Sequence, residues 1–129
     1  MMFSAILFLY LTACNTTDNK EPVAEWNTIC VTATAYNSVS GQTNEHPKIT
    51  AWGDTLKPGM RAIAVSRDLL EMGFDYNSPV KIEGFEGVFY IKDKMHSRWK
   101  HRIDIYMGND VEKAEKFGRK KLNISFIPD

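Results

Sequence analysis

The sequence predicts a small, mainly β domain closed into a barrel, with two short helices. Three observations carry this expectation. Four segments alternate apolar with polar residues, and a fifth, residues 88–91, is apolar throughout. Only two stretches carry helix signals, and both are short. At 129 residues the chain fits one domain, and closing a sheet this small removes the edges that would otherwise aggregate.

The strands follow in order. Ile29, Val31, Ala33 and Ala35 alternate with Cys30, Thr32, Thr34 and Tyr36. Val80 and Ile82 alternate with Lys81 and Glu83, and Ile103 and Ile105 with Arg102, Asp104 and Tyr106. Leu122, Ile124 and Phe126 alternate with Lys121, Asn123 and Ser125. This period of two is that of a half-buried strand, whereas residues 88–91 suit a central one. Ser66 can cap a helical turn that runs to Met72 and stops at Gly73. Asn109 can cap residues 110–117, with Glu112 completing a capping box, Gly118 as the stop, and Val111, Ala114 and Phe117 on one face.

The N-terminal end reads differently. Residues 1–14 are uncharged and mostly apolar, too short to span a bilayer, which needs about 20 such residues. They have the length and polarity of a signal-peptide core. Leu11-Thr12-Ala13-Cys14 resembles a bacterial lipobox, in which Cys14 is acylated and becomes the first residue of the mature chain. Residues 15–25 are polar and aperiodic, as a tether would be, leaving residues 26–129 as the folded domain. The expected setting is the cell envelope, with the chain held at a membrane, the outer one, and facing the periplasm. Cys30, in an apolar run, reads as a packing residue, with a Cys14–Cys30 disulfide as the alternative.

Lys plus Arg and Asp plus Glu number 16 each, so global charge points to no polyanion, and nucleic acid is not an expected partner. Charge is local instead. Lys92, Lys94, Arg98, Lys100 and Arg102 surround Trp99, with His96 and His101 among them. Such a patch can attract an anionic polymer while Trp99 stacks on a sugar ring; equally it can be a solvated loop. Asp93 and Asp104 flank the patch. A lone outward aspartate is usually just solvated, but glycosidic cleavage commonly pairs a carboxyl proton donor with a second carboxyl. No Cys or His spacing suggests a metal, and no cofactor is expected.

Thr34-Ala35-Tyr36, Thr50-Ala51-Trp52-Gly53, Ala62-Ile63-Ala64-Val65, Asp93, Arg102-Ile103-Asp104-Ile105-Tyr106 and Phe117-Gly118-Arg119 occur in that order. The set resembles the three-aspartate (3D) domain family, related to the catalytic domain of membrane-bound lytic transglycosylase A and to stationary-phase survival proteins. The resemblance spans roughly residues 31–127 and implies a six-stranded double-psi β-barrel acting on peptidoglycan. It implies Asp93 as general acid and then base at the MurNAc–GlcNAc bond, with a 1,6-anhydro product, and Asp104 as the supporting carboxylate. Tyr36, Thr50, Ser66 and Trp99 are the expected substrate-binding residues. The sequence departs from the family at Ser66, where the first aspartate is expected, with Asp68 two residues later. It departs again at Lys94 and Met95, in place of a glycine pair. The expected function is therefore a lipid-anchored lytic transglycosylase in cell-wall turnover. The alternatives are a peptidoglycan-binding module that has lost catalysis and a structural lipoprotein.

Overall fold

The computed structural model describes residues 25–38 and 49–128. The predicted signal peptide, most of the tether and Cys14 lie outside the described residues. Six strands form: β1 (Asn27–Tyr36), β2 (Ala62–Val65), β3 (Pro79–Ile82), β4 (Phe89–Lys94), β5 (Arg102–Tyr106) and β6 (Lys120–Phe126). The helices are α1 (Arg67–Glu71), after β2, and α2 (Val111–Phe117), before β6.

The strands close in the order β1-β5-β2-β4-β3-β6. Two pairs are parallel, β1 with β5 and β2 with β4, and the other four contacts are antiparallel. The structure is thus the six-stranded double-psi β-barrel with two helices. Its interior collects the apolar half of each alternation: Val31 and Ala33, Ile63 and Val65, Val80 and Ile82, Ile103 and Ile105, Leu122, Ile124 and Phe126. Phe89 and Ile91 complete the lining from β4. Phe74, after α1, is fully buried with its ring 3.8 Å from that of Phe126.

β2 carries no alternation because both of its faces are covered. All four residues are buried. Ile63 and Val65 enter the core, while Ala62 packs outward with Leu56 and Tyr106 in a second cluster, against Tyr36 and Met60.

Local details differ from the sequence reading at three points. Ser66 stands at the N-cap of α1, but its side chain caps nothing; its Oγ accepts from the Arg102 amide at 3.0 Å. The cap of α2 is Asp110, one residue later than expected, with Oδ1 accepting from the Lys113 amide at 2.9 Å. Asn109 instead accepts from Ser38 Oγ, and without the capping box Glu112 faces Lys116 one turn on, at 3.5 Å. Cys30 is exposed rather than packed, since it lies on the outward half of β1. Gly118 does stop α2, at φ +65°, a backbone state that glycine adopts without a Cβ penalty.

Removing the Phe74 ring leaves a void beside Phe126 that this small core has no freedom to fill. Phe74→Ala is expected to lower unfolding free energy by about 3–5 kcal/mol, measured as a lowered urea midpoint with unchanged slope.

Candidate functional site

The site begins as a matter of strand register. Ala64 on β2 stands opposite Asp93 of β4 on one side and Asp104 of β5 on the other. Thr34 of β1 faces Asp104 in turn. Thr34, Asp104, Ala64 and Asp93 therefore form one row across four neighbouring strands. With two strand spacings between them, the aspartate Cα atoms are about 10 Å apart, and only a methyl group stands between the carboxyls.

Asp93 owes its place to an irregularity. Ile63 pairs with Ile91, but the next pair is Ala64 with Asp93, so Lys92 is an extra residue on β4. In an unbroken ladder Lys92 would face Ala64, and Asp93 would share the inward direction of Ile91 and Val65. The bulge turns it outward.

The row opens into a groove of about 240 Å³ lined by Tyr36, Ala64, Asp93, Asp104, Trp99 and the neighbouring Lys94, Met95 and His96. Four of the residues singled out in the sequence thus share one surface. Each is held. Asp93 Oδ1 accepts from the backbone amides of Ala51 at 2.8 Å and Lys94 at 2.9 Å. Both donors take the same oxygen, and among the described residues no donor takes Oδ2. Asp104 Oδ1 accepts from Thr34 Oγ1 at 2.9 Å. Trp99 packs under Arg102, whose guanidinium lies 3.9 Å from the ring centroid, with Arg98 at 4.8 Å. The Tyr36 ring leans on Tyr106, with centroids 5.4 Å apart. Burial first, and then the negative charges of Asp93 and Asp104, push the Tyr36 phenol far above its usual value. The phenol therefore keeps its proton, with its oxygen buried behind the groove wall.

Two expected residues stand elsewhere. Thr50 is 6% exposed and lies in a turn, not on the groove wall. Its carbonyl accepts from Gly53 N at 3.0 Å and its Oγ1 from Asp54 N at 3.0 Å, while its own amide donates to Asp54 O at 2.8 Å. Gly53 sits at φ +93°, which a side chain would strain. The turn aims the Ala51 amide at Asp93, so Thr50 acts on the site through that bond. Ser66 is fully buried, bound to the Arg102 amide, and lines no part of the groove. Asp68, two residues on, lines no part of the groove either. Its Oδ2 accepts from the backbone amide of His101 at 2.9 Å and lies 2.9 Å from His101 Nδ1.

Sequence reasoning missed the roles of Thr34, Ala64 and the Ala51 amide. All three depend on which strand lies beside which, and alternation along one strand carries no signal for that. Among the described residues no group of His, Cys, Asp and Glu could hold a metal ion.

No protein-family model matches the chain, and no curated protein does. Among solved structures it is similar to an expansin of Clavibacter michiganensis in its apo form, at 17% identity and a TM-score of 0.48. It is also similar to a mutant of the Clavibacter michiganensis expansin in complex with cellohexaose, at 16% identity and a TM-score of 0.48. Each match covers 80% of this chain and 50% of the other, so the chain spans half the length of these proteins.

The Asp68–His101 contact has a pH signature. Partial burial, which alone would raise the Asp68 pKa, is outweighed by hydrogen bonds from Ser66 and from the backbone and ring of His101, with the ring's charge, so the carboxyl is held below its usual value. A depressed carboxyl contributes stability above its unfolded value and loses it as pH falls through the folded one. Asp68→Asn is therefore expected to flatten the fall in melting temperature below about pH 4, followed by thermal unfolding across that acid range.

Proposed function

We propose that this domain binds peptidoglycan glycan strands in the groove between Asp93 and Asp104 and cleaves the MurNAc–GlcNAc bond by lytic transglycosylation. The observation that carries the reading is the single row that brings both carboxylates, with Tyr36 and Trp99, to one groove. The ordered motifs that resemble the three-aspartate family support the same substrate class.

The chemistry follows from positions. Asp93, through Oδ2, donates a proton to the oxygen linking the two sugars as the C1–O bond breaks. Positive charge develops at C1, and Asp104, fixed by Thr34, stabilises it across the width of Ala64. The C6 hydroxyl of the same muramic acid then attacks C1 and returns its proton to Asp93, closing the 1,6-anhydro ring. An internal nucleophile has a high effective concentration, so no water site is needed. Tyr36 lines the groove with its ring and is not the base, since its phenol stays protonated. Neither metal nor cofactor enters this scheme. Cys14, outside the described residues, would tether the domain to the outer membrane on its periplasmic side.

A second reading is favoured by one observation: Ser66, at the family's first aspartate position, is sealed in the interior, and Asp68 is committed to His101. On that reading the groove binds glycan without cutting it.

Digestion of purified sacculi by the full chain, with products identified by mass spectrometry, separates the two. Cleavage predicts anhydromuropeptides, reduced at least about 100-fold by Asp93→Asn with the fold intact. Co-sedimentation without product would establish the binding module, and loss of both would refute the substrate class. The anchor is tested by incorporation of labelled palmitate, which Cys14→Ala should abolish.

A further inference from the structure

Beside the groove, on the flank of β4 and sharing only Lys94 with its lining, lies a second surface that the reaction above does not use. The turn whose Ala51 amide grips Asp93 continues into Trp52, and the Trp52 ring meets that of Tyr76 at 5.1 Å between centroids, tilted by 50°. The Tyr76 hydroxyl donates to Asp54 Oδ2 at 2.6 Å, so one end of this shelf is fastened to the same turn. Tyr76 is nonetheless 41% exposed. Two ammonium groups stand over it: Lys94 Nζ at 5.3 Å from the Trp52 centroid and Lys92 Nζ at 5.3 Å from that of Tyr76. Lys92 also donates to Asn77 Oδ1 at 2.6 Å. Among the described residues the ion pairs are His101–Asp68 and Lys116–Glu112, and neither lysine belongs to one.

We propose that Trp52, Tyr76, Lys92 and Lys94 form a second subsite of the groove, which takes a sugar unit carrying anionic stem-peptide carboxylates. This rests on the groove's being a peptidoglycan site. Aromatic faces take the apolar face of a pyranose, and the two ammonium groups take carboxylates through charge-assisted hydrogen bonds. A neutral glucan offers only the first kind of contact. A peptidoglycan strand offers both, because its muramic acid residues carry acidic peptides. Lys94 lines the groove and also stands over Trp52, so the two surfaces are continuous and one strand can occupy both. The bulge serves both as well: the residue it adds, Lys92, supplies the outer cation.

The test is co-sedimentation of the full chain with intact sacculi, with sacculi stripped of free stem-peptide carboxylates by chemical amidation, and with cellulose. Exposed charge pairs contribute modestly, so binding to intact sacculi should exceed binding to stripped sacculi by about five-fold at low salt. The Lys92→Gln/Lys94→Gln double variant and high salt should each erase that difference. Tyr76→Ala should weaken binding to both kinds of sacculi, and cellulose should bind no better than stripped sacculi. Equal binding of the wild type to intact and stripped sacculi, or a difference that survives in the lysine variant, would overturn the subsite while leaving the cleavage assay free to stand. Absence of binding to either kind would overturn the subsite together with the reading it rests on.

Discussion

The extra residue on β4 is the constraint from which the site follows. Strand side chains alternate faces, so a single residue more or less reverses every position beyond it. Lys92 is that residue. Before it, Ile91 points into the barrel; after it, Asp93 stands outward beside Ala64. Because β2 pairs on its other edge with β5, the same alanine faces Asp104. Two carboxylates that are eleven positions apart in the chain become second neighbours in space. Their separation is set by backbone hydrogen bonds rather than by flexible side chains, which suits chemistry that tolerates little misplacement.

A small barrel offers few ways to fix such a site, and here one short turn does much of it. Thr50 and Asp54 close the turn on each other, and Gly53 supplies the backbone state it needs. What emerges is one amide on Asp93 and one indole beside Tyr76. On the other flank Arg102 lies over Trp99 and reaches Thr34, which holds Asp104. Several cations of the basic stretch are thus engaged with aromatic rings in and beside the groove.

Much of the fold was legible in the residues. Every alternating segment became a strand with its apolar half inside, since burial on one face leaves a period of two. β2 was legible only through the motif Ala62-Ile63-Ala64-Val65, because a strand covered on both faces has no period to read. The cap of α2 was misread by one residue: Asn109 and Asp110 are both good caps, and a tertiary contact with Ser38 decided between them. At the site, Asp93, Asp104, Tyr36 and Trp99 were nameable because acids, phenols and indoles announce their chemistry. Ala64 was not, because its contribution is to be small between two larger neighbours. Thr50 and Ser66 were named for the wall and stand behind it, one in a turn and one in the interior, for want of any sequence signal of depth.

On the proposed function a glycan strand crosses the row between the two aspartates. A crystal structure of the Asp93→Asn protein with a GlcNAc–MurNAc tetrasaccharide tests it most directly. Sugar rings are expected over Ala64, with a glycosidic oxygen within about 3 Å of the residue 93 side chain and Asp104 beneath the adjoining ring. A tetrasaccharide bound elsewhere on the barrel, with this groove empty, would contradict it.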